Sequence, residues 1–378
     1  MIELDPIFLR GRLFAWHSLH QPWGERGDAG VRSLLRVMRC IQLDPLEPIA
    51  SNADLVAHAR VDGLKRGQVY DALLPSHAFE HFAKERCLID VNRFGSYRAQ
   101  ALKMPWWRTS ERHRQVSDAL LQAVLAEVRE RGPILAKNLS DQGQVTPVDW
   151  SGWKSTSKAA SMALQVLWRR CQVVVSGRTR AGKLWSVPTP EQLAQPVGNF
   201  FEQGIVDRIQ AIGMLPRADG PQWSILSPAR KTDVVSRIIE QGSAVEVRLP
   251  GSRKSWLAHP ELLEMDEPSF DDRMRLLGPL DPMIWDRKLV QKVYGFEYLW
   301  EVYKPAEKRR WGWYVCPLIH RGKFVGRVQA RRQERGTEER GIEVQRLWRE
   351  PGFDDGAWRT CLQRLEGFAP SIRQTDHM

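Results

Sequence analysis

Val173-Val174-Val175-Ser176-Gly177-Arg178-Thr179-Arg180-Ala181-Gly182-Lys183-Leu184-Trp185 reads as a strand, a basic glycine-containing turn and a second strand. A helical stretch, Ser157 to Arg170, precedes it. The same order recurs downstream. Lys231 to Gln241 is helical, with Val234, Val235, Ile238 and Ile239 facing inward. Val245-Glu246-Val247-Arg248-Leu249 then leads through a second basic tip, Gly251-Ser252-Arg253-Lys254, to Ser255-Trp256-Leu257.

A helix followed by a basic-tipped hairpin is the layout of a winged helix, in which the helix enters a groove and the hairpin touches phosphate. Two copies predict a tandem array, and the N-terminal helices supply a third. Arg178, Arg180 and Lys183 on the first tip, and Arg253 and Lys254 on the second, become candidate DNA contacts. A solvated hairpin tip would carry the same residues.

Working outward, Asp5-Pro6 starts a helix, with Asp as cap and Pro in the first turn, and Leu9, Leu13 and Trp16 share one face. Gly24 to Gly30 breaks the chain before a second helix with the stripe Val31, Leu34, Leu35, Met38. Gln115 to Arg131 is helical and ends at Gly132-Pro133. Glu264 to Arg273 reads as a linker. Beyond it, Phe296, Tyr298, Trp300 and Val302 alternate as in a strand, and Tyr314 to Ile319 and Phe324 to Ala330 flank a turn. A last helix runs from about Asp355 to Phe368. The fold class expected is α+β, with tandem winged helices followed by a small C-terminal β-barrel-like domain. The divisions are 1–112, 113–196, 197–263 and 274–378.

Composition narrows the partner. The chain has 378 residues, 56 basic against 45 acidic, for a formal net charge of +11. Such a surplus fits a polyanionic partner. Arginine outnumbers lysine, and its planar fork meets phosphates and base edges in a bidentate way. The codon usage of a GC-rich genome would raise arginine too. The five cysteines are scattered with no paired spacing, which predicts a reducing cytoplasm and neither a disulfide framework nor a cysteine metal site. No signal peptide, membrane-spanning run or basic amphipathic helix stands out. The 16 Trp residues include Trp106-Trp107-Arg108 and Arg310-Trp311-Gly312-Trp313, which suit base stacking or an amphipathic rim.

The chemistry-bearing stretch is Cys40-Ile41-Gln42-Leu43-Asp44-Pro45. In an extended segment Gln42 and Asp44 share one face while Ile41 and Leu43 anchor the other. Pro45 keeps Asp44 out of the helical region. An amide can orient a water or a sugar oxygen, and a carboxylate can activate that water or stabilise a cationic sugar. A strand-end pair that only satisfies local backbone has the same spacing. His77 and His81 would share a helical face if Ser76 caps a helix, but a zinc site needs a third ligand and none is obvious. No phosphate-binding glycine loop or serine elbow is present.

Several segments together resemble the AlkZ/YcaQ family of winged-helix DNA glycosylases. Ile41-Gln42-Leu43-Asp44 resembles the family's Gln-hydrophobic-Asp motif in its YcaQ-like form. Phe79 to Glu85 resembles an aromatic-rich family segment. Trp150-Ser151-Gly152-Trp153-Lys154 and Gly177-Arg178 resemble the second winged helix and its wing. Gly278-Pro279-Leu280-Asp281-Pro282-Met283-Ile284-Trp285-Asp286-Arg287 resembles the Pro-Phe-Asp…Trp-Asp-Arg signature, continued by Glu301 to Pro305, Lys308 to Gly312 and Val325-Gly326-Arg327. The chain departs from the family where Lys84 replaces the usual His, Leu280 the Phe, and Gln329 a frequent Asp.

The resemblance implies a C-shaped array of winged helices and a C-terminal β-domain. It implies a monofunctional hydrolase with Gln42 and Asp44 catalytic, acting on alkylated N7-type purines and interstrand crosslinks. Its partner is double-stranded DNA, contacted also by Lys154, Arg287, Lys308 and Arg309. No cofactor or metal, no membrane association, a monomer and a cytoplasmic, nucleoid-associated location complete the expectation. The competing class is a non-catalytic winged-helix DNA-binding regulator. It explains the charge, but not the paired Gln and Asp.

Overall fold

The computed structural model describes residues 1–104, 109–146, 148, 157–335 and 338–368. Lys154, the segment Trp150 to Lys154 and the pair Trp106-Trp107 lie outside the described residues. The architecture is mixed α+β. The chain forms two compact units: residues 1–69, 84–87 and 204–378 make the first, and 70–83 with 88–203 the second.

The first unit is built from three separate stretches of chain. Asp5 caps the helix Pro6–Trp16, its carboxylate accepting from Ile7 N at 2.7 Å, with Pro6 in the first turn. Leu9, Leu13 and Phe14 on that helix enter a core with Met214, Val247, Trp256, Leu289 and Val293. The second helix, Gly27–Met38, buries Val31, Leu34, Leu35 and Met38, as its stripe predicts. A four-stranded sheet runs in the order Ile2–Glu3, Val245–Arg248, Ser255–Ala258, Met214–Pro216. The predicted second hairpin is the antiparallel pair Val245–Arg248 and Ser255–Ala258, and the helix before it is Val234–Glu240.

The C-terminal part of this unit carries an antiparallel sheet in the order Arg275–Leu276, Val315–His320, Lys323–Arg335, Glu338–Arg349. Among the described residues it is open, not a closed barrel, which corrects the expected barrel-like domain. Only four strands pair, and the longest hairpin, Lys323–Arg335 with Glu338–Arg349, was not visible as a pair in the sequence. Phe296 to Trp300 form no strand; Phe296 and Tyr298 are instead buried from an irregular segment. The last helix, Asp355–Glu366, starts where expected, with Asp354 as cap.

In the second unit the helix Asp118–Arg131 buries Leu121, Val124, Leu125 and Val128 against Met162, Ala163, Val166 and Leu167 of the helix Ala159–Arg169. The predicted first hairpin is the antiparallel pair Val174–Thr179 and Gly182–Ser186, and Ile134–Leu135 adds a third strand beside Gly182–Ser186. Ser76 caps no helix. Ala78–Phe82 is a strand, so His81 lies on a sheet, and its buried imidazole packs against Trp168 at 5.0 Å between ring centroids. Alternating Ala78, Glu80 and Phe79, His81 fit the two-residue strand period better than the helical one.

Candidate active site

The helix Gly27–Met38 ends at Arg39, whose φ of 63° turns the chain sharply into the strand Cys40–Gln42. Ile41 is fully buried and Leu43 nearly so, as the alternation predicts. Gln42 is buried too, only 4% exposed, while Asp44 is half-buried. The segment is clamped from one side by the stretch Lys84–Cys87. Leu43 N donates to Arg86 O at 2.8 Å, and the Cys40 and Cys87 thiols are buried against each other, a contact that with burial pushes the Cys40 thiol up.

Asn52 braces the other side. It is fully buried on the helix Asn52–His58. Its Nδ2 donates to Gln42 O at 2.8 Å and its Oδ1 accepts from Leu280 N at 3.1 Å. A Cβ at Gly278 would meet Asn52 Oδ1 at 2.5 Å, so glycine is required there by close approach. One amide thus ties the strand end to the segment Gly278 to Leu280. Trp285 closes the same segment, donating Nε1 to Leu280 O at 2.8 Å. Its own carbonyl accepts from Gln222 Nε2 at 2.9 Å, and Gln222 O accepts from Arg208.

Two side chains of this cluster carry opposite charge. Asp44 Oδ1 accepts from Leu46 N at 3.0 Å. Burial pushes the Asp44 carboxyl above the ordinary aspartate value, partly offset by that N–H. Lys84 donates Nζ to Gln42 Oε1 at 3.2 Å and stands 5.3 Å from the Trp285 ring centroid. Burial pulls the Lys84 ammonium below the ordinary lysine value; Cys87 and Glu85 oppose that shift, and Arg208 and Arg287 add to it. Arg287, one of the predicted DNA contacts, is half-buried, and its guanidinium lies 5.6 Å from the Tyr298 ring centroid.

A family model for DNA glycosylase AlkZ-like proteins matches residues 35–368. The chain belongs to the AlkZ-like DNA glycosylase family. The structure is also similar to that of Streptomyces sahachiroi DNA glycosylase AlkZ, with a TM-score of 0.56 and 17% identity over 98% of both chains, a likeness of fold. Gln42, Asp44, Asn52, Lys84 and Trp285 all lie inside the span matched by the AlkZ-like family.

The predicted DNA contacts differ in how they are held. Arg178 and Lys183, in the second unit, both bind Glu80, whose side chain is fully buried. Arg178 Nε donates to Glu80 Oε1 at 3.0 Å and Lys183 Nζ to Oε2 at 2.6 Å, while the Arg178 guanidinium lies 4.3 Å from the Tyr70 ring centroid. Arg180, between them, is exposed at the turn. In the first unit Arg253 is exposed, and Lys254 pairs with Asp219 at 3.3 Å. Lys308 and Arg309 sit on a loop closed by Glu301, which accepts from Lys304 Nζ, Arg310 N and Trp311 N. Those bonds hold the Glu301 carboxyl down at about 2, against its burial.

Sequence reasoning missed Asn52 and Glu80 as partners. Each is an ordinary polar residue in its local sequence. Only the fold brings Asn52 to Leu280, 228 positions away, or Glu80 to Lys183, 103 positions away.

Proposed function

We propose that the protein is a monofunctional DNA glycosylase that hydrolyses the N-glycosidic bond of N7-alkylated purines in double-stranded DNA, including purines joined in interstrand crosslinks. The observation that carries this reading is the braced strand end, which holds Gln42 inside the protein and leaves the adjacent Asp44 carboxylate half-open to solvent. We read the two helix-plus-hairpin units as winged helices that grip duplex phosphates through Arg178, Arg180, Lys183, Arg253 and Lys254. Arg287, Lys308 and Arg309 add to that grip, and the protein acts as a monomer.

An N7-alkylated purine is cationic and departs without an acid. As the C1′–N9 bond lengthens, its electron pair neutralises the purine and positive charge builds on the sugar. Asp44 in its carboxylate form stabilises that charge. It then takes a proton from the water whose oxygen bonds to C1′. Gln42 orients that water. The products are a free base and an abasic site.

The test is to incubate the protein with a duplex carrying one N7-methylguanine and to measure released base. Release by the parent and none by Asp44→Asn supports the reading. Tight, salt-sensitive binding with no release by either would favour a regulator.

A further inference from the structure

Gln42 has one side-chain partner among the described residues, and that partner is charged. Lys84 Nζ lies 3.2 Å from Gln42 Oε1. An ammonium has three donors and no acceptor, whereas an amide carries an oxygen acceptor on one side and an NH2 donor on the other. The oxygen and nitrogen of a glutamine are otherwise interchangeable in shape. A cation beside the amide removes that ambiguity, because the NH2 cannot face it without repulsion.

From this geometry we infer that Lys84 is a positioning residue, which locks the Gln42 amide with its oxygen toward the ammonium and its NH2 turned away from it, available to a water that Asp44 activates. The inference rests on the glycosylase reading. It specifies what Gln42 turns away from the ammonium and offers the reaction: the donor side of its amide. A water that accepts from Gln42 Nε2 can give its proton to the Asp44 carboxylate and keep a lone pair for C1′. The reversed amide would accept from that water and compete with the Asp44 carboxylate for its protons.

The surroundings fix Lys84 as they would a strut. It lies in the connection between the strands Ala78–Phe82 and Arg86–Asp90. Trp285 stands 5.3 Å from its Nζ, and Trp285 is itself held by Leu280 O and Gln222. The charged and titratable groups around it are Glu85 beside it on the connection and Cys87 on the strand that follows, with Arg208 and Arg287 from other elements. An ammonium donating to an amide has no free lone pair, so this role and attack on a sugar carbon exclude each other.

A double-mutant cycle on single-turnover release of N7-methylguanine separates positioning from packing. Lys84→Met keeps the stem against Trp285 and removes only the donor. It should lower the rate about tenfold or more while DNA affinity stays within about twofold, since only a transition-state interaction is lost. Gln42→Ala should lower the rate further. Lys84→Met added to Gln42→Ala should then cost nothing more, because the residue acts only through that amide. Circular dichroism and thermal midpoints establish that each variant is folded. Lys84→Met releasing base at the parent rate, or two losses that add, would overturn the inference and leave the glycosylase reading standing. A parent that releases no base would overturn both.

Discussion

Arg60 grips both carboxylate oxygens of Asp281, 221 positions away, and neither side chain reaches solvent. The distances are 2.7 and 3.0 Å, and two further guanidinium donors go to His17 O and Val56 O. Asp281 Oδ1 also accepts from Met283 N at 3.0 Å. The pair therefore pins the segment that carries Leu280 and Trp285 to the helix that carries Asn52.

Removing one partner leaves the other buried and unpaired. Arg60→Met should cost about 3–5 kcal/mol of unfolding free energy, whereas Arg60→Met with Asp281→Leu should recover much of it. Urea denaturation reads both values. A loss for Arg60→Met below about 1 kcal/mol, typical of surface pairs, would mean that the pair does not brace the site.

Asp44→Asn keeps the size of the side chain and loses its charge. Base release should fall by about 100-fold or more with DNA affinity retained. Burial raises the Asp44 carboxyl, and the reaction needs the anion. The parent rate should therefore fall on the acid side around a midpoint above that of a free aspartate. An unchanged rate in Asp44→Asn would take this residue out of the mechanism.

Of the cations on the hairpin Val174–Thr179 and Gly182–Ser186, Arg180 alone is exposed, while Arg178 and Lys183 share the buried Glu80. Neutralising all three should weaken DNA binding across sequences and flatten its salt dependence. Arg180→Gln alone should lower the salt slope by about one with the fold intact. Arg178→Met should in addition lower the thermal midpoint, because Glu80 loses a partner. A triple variant with the parent's affinity and slope would show that this hairpin does not touch DNA.

Borohydride traps a Schiff base between a lysine and an abasic sugar as a permanent adduct. No adduct should form with the parent on N7-methylguanine DNA, since Lys84, the lysine beside Gln42, is committed to that amide. An adduct that vanishes in Lys84→Met would make the enzyme bifunctional.

Burial pulls His17 down to about 3 and His58 to about 4. Unfolded, both titrate near the ordinary value of about 6.5. Between those limits the unfolded chain binds more protons than the folded one, so stability rises with pH. It is fully present above about 6.5 and is lost as pH falls toward 4. Urea midpoints should drop between pH 7 and pH 4.5, and less steeply in His58→Gln. A flat midpoint for the parent over that range would contradict the burial of neutral imidazoles.

Local signals carried much of the architecture. The stripe Val31, Leu34, Leu35, Met38 gave its helix, and the basic tips at Arg178 to Lys183 and Arg253-Lys254 gave their hairpins, because periodicity and turn chemistry act over a few residues. A helix capped by Ser76 was one condition for His77 and His81 to share a face, and Ala78–Phe82 is a strand instead. Phe296 and Tyr298 alternate yet form no strand, since burial without sheet pairing leaves the same pattern. That Ile41 and Leu43 anchor the stretch carrying Gln42 and Asp44 was legible from spacing. Their braces, Asn52 and Lys84, were not, because nothing local marks which distant atom a buried amide or ammonium will meet.

The reach from Arg60 to Asp281 also bears on synthesis. A chain emerging from its N-terminus makes Gln42, Asp44 and Asn52 early, but the residues that pin them in place come about two hundred positions later. Until Asp281, Leu280 and Trp285 arrive, Arg60 and Asn52 have no partners from that segment, and the strand end lacks its scaffold. A chain broken before Gly278 lacks all of these contacts, and on the proposed reading it should release no base. On the proposed reading, the site stays incomplete until most of the chain has been made.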